Sequence, residues 1–226
     1  MQVIYLGHSA FHIIAPGLNA LIDPYLSNNP MTTHKPEDFT GINYIFVTHG
    51  HGDHLGDTIA VAKANDATVI ANAEICDYLS RKGVKCHPMH IGGSFVFHFG
   101  AVKLTPALHG SAITEGDQRI EGGNPCGFLI EVDGKHIYHA GDTGLSKDME
   151  LLSEDQVDLA LLPIGGNYTM DIYDAARAVR MIKPIRVVPM HYNTFPHIQA
   201  DPLEFINLVN EAAQVLILKP GDVVAL

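Results

Sequence analysis

Short apolar blocks dominate this chain, and their period changes along it. Val3 to Leu6 and Ala10 to Ala15 are apolar, Pro16-Gly17 marks a turn, and Ala20 to Ile22 leads into Asp23-Pro24. That order predicts a β-meander. Residues 28–39 are polar and contain proline, which reads as a loop. The run from Ile42 to Val47 predicts a buried strand. Asp57 is expected to cap a helix carrying Ile59, Val61 and Ala62. Ala67 to Ala71 reads as a strand. Glu74 to Lys82 has helical spacing and stops at Gly83, placed to be the C′ residue. The stretch around Cys86, Pro88 and Met89 reads as a loop, with His87 and His90 at the surface.

The middle of the chain predicts hairpins. Phe95 to Phe99 and Val102 to Thr105 alternate on either side of Gly100. Phe128 to Val132 and Lys135 to Tyr138 flank Asp133-Gly134, a pair suited to a type I′ turn. From about residue 147 helix and strand patterns alternate: a polar helix 147–154, a buried run Val157 to Ile164, helix 171–182, strand 185–190, helix 202–213, strand 215–218, then Pro220-Gly221 and a last strand. Strands first, then alternation, predicts two mixed sheets packed face to face with helices outside.

Between the strand at 42–47 and the helix after it stands His49-Gly50-His51-Gly52-Asp53-His54. Four metal-binding side chains fall within six positions. Imidazole nitrogens suit zinc, iron, manganese and nickel, and a carboxylate among them suits a paired site. Gly50 and Gly52 are expected to relieve crowding and allow sharp turns. A dinuclear site needs more donors, and three further residues follow predicted strands: His109, Asp142 and His191. Strand ends are held rigidly along one edge of a sheet, so side chains there can converge. Asp142 alone reads equally well as a turn or cap residue. His8 follows the first strand, where a backbone-satisfied histidine and one beside the metals are both open. Asn167 and Asn193 follow strands on the same presumed edge, and substrate contact competes there with ordinary turn chemistry.

Composition narrows the function. The 226 residues are 46% hydrophobic, enough for one sizeable core; no linker-like stretch divides them, so a single domain over 1–226 is expected. No apolar run approaches the roughly 18–20 residues of a bilayer span, which predicts no membrane partner. The N-terminus has no basic segment and predicts no signal peptide. Cys76, Cys86 and Cys126 are scattered and odd in number, which predicts a reducing, cytoplasmic setting rather than a disulfide framework. The net charge is −11 and the 14 Lys and Arg never cluster, so no basic stripe offers itself to nucleic acid.

In order, the chain thus presents His-x-His-x-Asp-His (49–54), a lone His109, Asp142 after a glycine, and a final His191. This resembles the metallo-β-lactamase superfamily over nearly the whole chain. The segment Leu6 to Phe11 and the compact length are similar to the small metal-dependent hydrolases of the UPF0173 kind, and more distantly to the ascorbate-phosphate lactonase branch. The resemblance implies a four-layer αββα sandwich with the metals at one edge of the sheets. It implies His49, His51 and His109 at a first metal, Asp53, His54 and His191 at a second, and Asp142 between them. Two divalent ions are expected, zinc first, with manganese, iron or nickel as alternatives.

The function this implies is hydrolysis of a small-molecule ester, lactone or phosphodiester by a metal-bridging hydroxide, oriented by Asp53 as the catalytic carboxylate. His51, standing where glutamate would suit a flavodiiron reductase, favours the hydrolase. A non-hydrolytic metal-binding protein and a di-iron redox protein are the alternatives on the same scaffold. A homo-oligomer is left open. Loops 24–40, 111–125 and 192–200 are expected to build the substrate pocket, the second of them as a solvated loop.

Overall fold

The computed structural model describes residues 1–226. Its first sheet begins with the expected meander: β1 (Gln2–Gly7), β2 (Ala10–Ala15) and β3 (Leu18–Ile22) pair antiparallel. β4 (Tyr44–Phe46), β5 (Thr68–Asn72) and β6 (Lys85–Met89) follow in parallel. The C-terminal β16 (Val223–Ala225) closes the far edge antiparallel to β1.

The second sheet has the same sequence of strand directions. β7 (Ser94–Phe97), β8 (Gly100–Pro106), β11 (Cys126–Val132) and β12 (Lys135–His139) pair antiparallel. β13 (Leu159–Pro163), β14 (Arg186–Met190) and β15 (Gln214–Val215) continue in parallel. A separate two-stranded hairpin, β9 (Ile113–Glu115) and β10 (Gln118–Ile120), stands where the sequence predicts only loop.

Burial explains the layering. Phe11, Ile13, Phe46, Phe128, Ile130, Leu159 and Leu161 meet between the sheets. On β13 the alternate residues Ala160 and Leu162 face outward, yet are equally buried under α4 (Ile172–Ile182) and α5 (Pro202–Val209). A parallel strand covered on both faces reads as an unbroken apolar run, as 157–164 does. On the other side Ile45, Val47 and Val69 pack under α2 (Thr58–Asn65) and α3 (Ala73–Arg81). The result is helix, sheet, sheet, helix: the αββα sandwich. No helix is long and apolar enough to cross a membrane.

Several local expectations hold. Asp133 and Gly134 both have positive φ (54° and 68°), as a type I′ turn needs. Gly83 follows the C-cap of α3 with φ 78°.

Others need correction. The 86–89 stretch is not loop: His87 lies in β6 and its ring packs 4.4 Å from Phe95, while His90 just past the strand is exposed. Pro88 and the exposed side chains hid this strand, and both are tolerated because β6 is an edge. The hairpin after β7 turns at His98 and Phe99, not at Gly100. Residues 147–154 are 3-10 rather than α-helix, the 202–213 helix changes to 3-10 after Val209, and the 215–218 strand is only Gln214–Val215. Asp57 precedes α2 without capping it. Its carboxylate instead accepts from Leu26 N, Ser27 N and Ser27 Oγ at 2.6–2.9 Å, pinning the 24–40 loop to the helix start.

Candidate metal centre

The seven expected donors meet at one edge where the two sheets join. β4 delivers the hexapeptide, and Gly52 to Leu55 coil into the single turn α1. Gly50 is needed for close approach, since a Cβ there would sit 2.6 Å from both the Ser111 carbonyl and Ile113 Cγ1. Gly52 meets nothing within 4 Å and opens α1, so the crowding argument applies to only one of the two glycines.

Two groups of donors face each other across Asp142. His49 Nε2, His51 Nδ1 and His109 Nε2 form the first, with His51 Nδ1 3.0 Å from His49 Nε2 and 3.2 Å from His109 Nε2. Asp53, His54 and His191 form the second, and His8 lies within the same cluster. The Asp142 carboxylate lies between. Its Oδ2 is 3.0 Å from His191 Nε2, 3.5 Å from His109 Nε2 and 3.9 Å from His49 Nε2, while Oδ1 is 3.3 Å from His54 Nε2.

These atoms fit cations better than they fit one another. His54 Nε2, Asp142 Oδ1 and both ring nitrogens of His191 are buried without a hydrogen-bond partner. In a folded protein such groups call for an explanation, because burial without a partner is costly. Three imidazole nitrogens converging at about 3 Å offer more lone pairs than protons can satisfy.

The layer behind the donors fixes their protons, and its centre is Asp23, which the sequence shows only as the residue before Pro24. Asp23 is fully buried at the end of β3. Its Oδ1 accepts from Thr48 N at 2.8 Å; its Oδ2 accepts from Thr48 Oγ1 at 2.6 Å and from His54 Nδ1 at 2.8 Å. His54 therefore keeps a proton on Nδ1 and leaves Nε2 as the nitrogen that faces the site and can bind a cation once its own proton is lost. Thr48, having given its hydrogen to Asp23, accepts from His49 Nδ1 at 2.9 Å, which frees Nε2 of His49 as well. One carboxylate sets two tautomers. The strand-end rule that singles out His109, Asp142 and His191 applies equally to Asp23.

His139 supports the opposite side. Its Nε2 donates to Ser9 O at 3.0 Å and its Nδ1 accepts from Gly141 N at 3.1 Å, tying the β1–β2 turn to the loop that carries Asp142. His8 is fully buried at φ 59°. Its Nε2 is 3.2 Å from Asp53 Oδ2 and its Nδ1 2.8 Å from Thr194 Oγ1. Asn167 and Asn193 do not line the donors' cavity. Both are exposed at positive φ, and Asn193 closes its own loop through Ala200 N and O. Their neighbours Tyr168 and Thr194 are the residues that reach inward.

Charge divides the two groups. Burial, with neighbouring imidazoles adding to it, pushes His49 and His51 down, and burial does the same to His109. Burial also lowers His8, to about 4. It opposes charge on His54 and His191 too, but is outweighed there. Asp142 and Asp23 hold His54 well above its ordinary range, and Asp142 lifts His191 to about 9. Burial likewise opposes ionisation of the carboxylates, yet His54 and His191 hold Asp142 well below the usual range, and His191 and His8 do so for Asp53.

The donors open into a cavity of ≈ 220 Å³ lined by His51, Asp53, His109, Asp142, His191, Tyr168 and Phe195. No lysine or arginine lines it. A cleft of ≈ 280 Å³ between β8 and the 3-10 helix at 147–154 is larger but holds none of these donors, so size does not choose the site.

The family model described as beta-lactamase superfamily domain matches residues 18–192. A UPF0173 metal-dependent hydrolase of Alkaliphilus metalliredigens is 54% identical over 223 residues, 99% of this chain and 99% of that protein. Another, of Carboxydothermus hydrogenoformans, is 51% identical over 228 residues and covers both chains completely. Among solved structures, Igni18, a novel metallo hydrolase from the archaeon Ignicoccus hospitalis, superposes with a TM-score of 0.89 at 40% identity, covering 99% of this chain and 97% of its own.

Proposed function

The chain belongs to the β-lactamase superfamily and, within it, to the UPF0173 metal-dependent hydrolases, and from that premise we propose that it holds two divalent cations and hydrolyses a neutral ester or lactone. His49, His51 and His109 would hold the first cation, Asp53, His54 and His191 the second, with Asp142 shared. Zinc suits this donor set first; manganese, iron and nickel accept the same atoms. When bound, the cations supply Lewis acidity, which can bring the pKa of a water from about 15.7 to near 7 and draw charge from the scissile oxygen.

The chain's own groups do the rest. Asp53 is the one carboxylate partly open to the cavity, with 28% of its side chain exposed. Held ionised, it acts only as an acceptor and orients the attacking water through one of that water's hydrogens. Tyr168 and Phe195 wall the mouth and exclude solvent from one side. A substrate charge lying beyond the cations would meet no lysine or arginine, since none lines the cavity. That favours a neutral acyl group with an apolar flank.

The observation that carries this reading is the convergence of seven donors, six of them around the buried Asp142 carboxylate, with orphaned atoms on three of the seven. The test is elemental analysis of the purified protein, with a panel of chromogenic esters, lactones and phosphodiesters. Two equivalents of metal are expected, with esters or lactones turned over faster than diesters. His51→Ala and Asp142→Ala should each lower bound metal and abolish turnover. Full metal content and full activity in both variants would refute the assignment.

A further inference from the structure

We propose that His8 is a positioning residue: its Nε2–H holds Asp53 Oδ2 in place, and the Thr194 hydroxyl keeps the proton on that nitrogen. This rests on the reading of Asp53 as a metal donor.

The geometry begins with the turn. Gly7 and His8 leave β1 with φ 105° and 59°. The His8 carbonyl accepts from His191 N at 2.9 Å and from Tyr5 OH at 3.3 Å, and its ring packs 4.1 Å from the His191 ring. The β1–β2 turn of one sheet is thus fastened to the loop after β14 in the other. Histidine adopts this left-handed backbone more readily than most residues, though asparagine suits it at least as well.

One proton then has to be placed on a neutral ring. Nε2 faces a carboxylate oxygen at 3.2 Å and Nδ1 faces a hydroxyl at 2.8 Å. A lone pair on Nε2 would oppose the Asp53 oxygen. A proton there makes a charge-assisted bond, among the stronger kinds. Thr194 Oγ1 then gives its hydrogen to Nδ1, forgoing its weaker alternatives, Met31 Sδ at 3.0 Å and Tyr192 O at 3.4 Å. A thioether is a poor acceptor, so this arrangement costs little. Asp53 needs such a hold because it is the most exposed carboxylate of the site and projects from the four-residue α1.

Two substitutions separate this role from a purely structural one. The amide nitrogen of glutamine reaches about as far as imidazole Nε2; that of asparagine reaches only as far as Nδ1. His8→Gln keeps a donor at Asp53 but fits the left-handed turn poorly. His8→Asn fits the turn and meets Thr194 but leaves Asp53 free. Zinc affinity at the second equivalent, read by chelator competition, is expected to stay within about 3-fold of wild type in His8→Gln. It should fall roughly 10–100-fold in His8→Asn, the usual range for losing a partner of a metal-holding group. Thermal melts of the zinc-free proteins should rank in the opposite order, with His8→Asn the more stable.

Asparagine binding zinc as well as wild type overturns the proposal. Equal losses in both variants overturn it too, since they would make His8 itself a ligand or only a turn residue. A wild-type protein that takes up no second equivalent overturns the underlying reading of the site along with it, so the two failures are told apart.

Discussion

Replacing Asp23 with asparagine changes one buried atom and should disturb two metal donors at once. In the native site Oδ2 takes hydrogens from Thr48 Oγ1 and His54 Nδ1, while Oδ1 takes the Thr48 amide. Asparagine keeps an oxygen for the Thr48 amide and presents an NH₂ where Oδ2 stood. Both former donors must then accept. His54 moves its proton to Nε2, the nitrogen aimed at the site. Thr48 turns its hydroxyl hydrogen to His49 Nδ1, which moves that ring's proton to Nε2 as well. Loss of one such partner typically costs 10–100-fold in metal affinity, about 1.4–2.7 kcal/mol. Because the change reaches one donor in each group, both equivalents of zinc should weaken by at least that range. The fold itself should hold, since Asp23 sits at φ 45°, where asparagine is readily accommodated. Thr48→Val is the companion: it releases His49 alone and should weaken only the first equivalent. Competition with a chromogenic chelator reads both, with circular dichroism as the folding control. If Asp23→Asn is folded and binds two zinc ions within twofold of wild type, the tautomer argument is wrong.

Two further outcomes follow from the same geometry. His191 is lifted from 6.5 to about 9 in the protein without metal; a raised folded value stabilises fully below about 6.5 and is lost as pH climbs through 9. That gap is worth about 3 kcal/mol, so urea melts of chelator-treated protein should show stability falling between pH 6.5 and 9, less steeply in His191→Gln; a flat or rising profile contradicts this. Gly141→Ala places a Cβ 2.6 Å from Cys126 O and 3.0 Å from Thr48 Cβ at φ 62°; the backbone alone costs roughly 1–2 kcal/mol, and a lower melting temperature with reduced zinc content is the expected pair of measurements, an unchanged melt the contrary one.

The sequence exposes donors better than it exposes what holds them. The hexapeptide is legible because four donors are contiguous, so no tertiary knowledge is needed to bring them together. His109, Asp142 and His191 are legible through strand ends, where the sheet edge does the gathering. Asp23 obeys the same rule but looks like the first half of an Asp-Pro turn, and its partners Thr48 and His54 lie 25 and 31 positions away. Asn167 and Asn193 stand beside residues that reach the site: Tyr168 lines the cavity and Thr194 bonds His8. β6 escapes notice because an exposed edge strand containing Pro88 need not alternate, and the hairpin 113–120 because polar residues occupy both its faces. The sandwich survives these errors. It depends on buried runs such as 157–164, whose two faces are both covered, and not on the edges.

The two sheets also explain why similar residues do different work at their junction. Each runs through the same order of strand directions, so β1 matches β8 and β3 matches β12 in topology. A histidine follows β1 and β8, namely His8 and His109; an aspartate follows β3 and β12, namely Asp23 and Asp142. In the first sheet each stands one residue past its strand, in the second three residues past. Two more residues give up to about 7 Å of reach. That extension carries His109 and Asp142 out to the convergence point, while His8 and Asp23 stay at the strand ends, fully buried. From there their hydrogen bonds run to Asp53 and His54. Between these matched strands, reach beyond the strand separates His109 and Asp142, which enter the donor cluster, from His8 and Asp23, which stand behind it; His191, one residue past β14, joins the cluster without that extension.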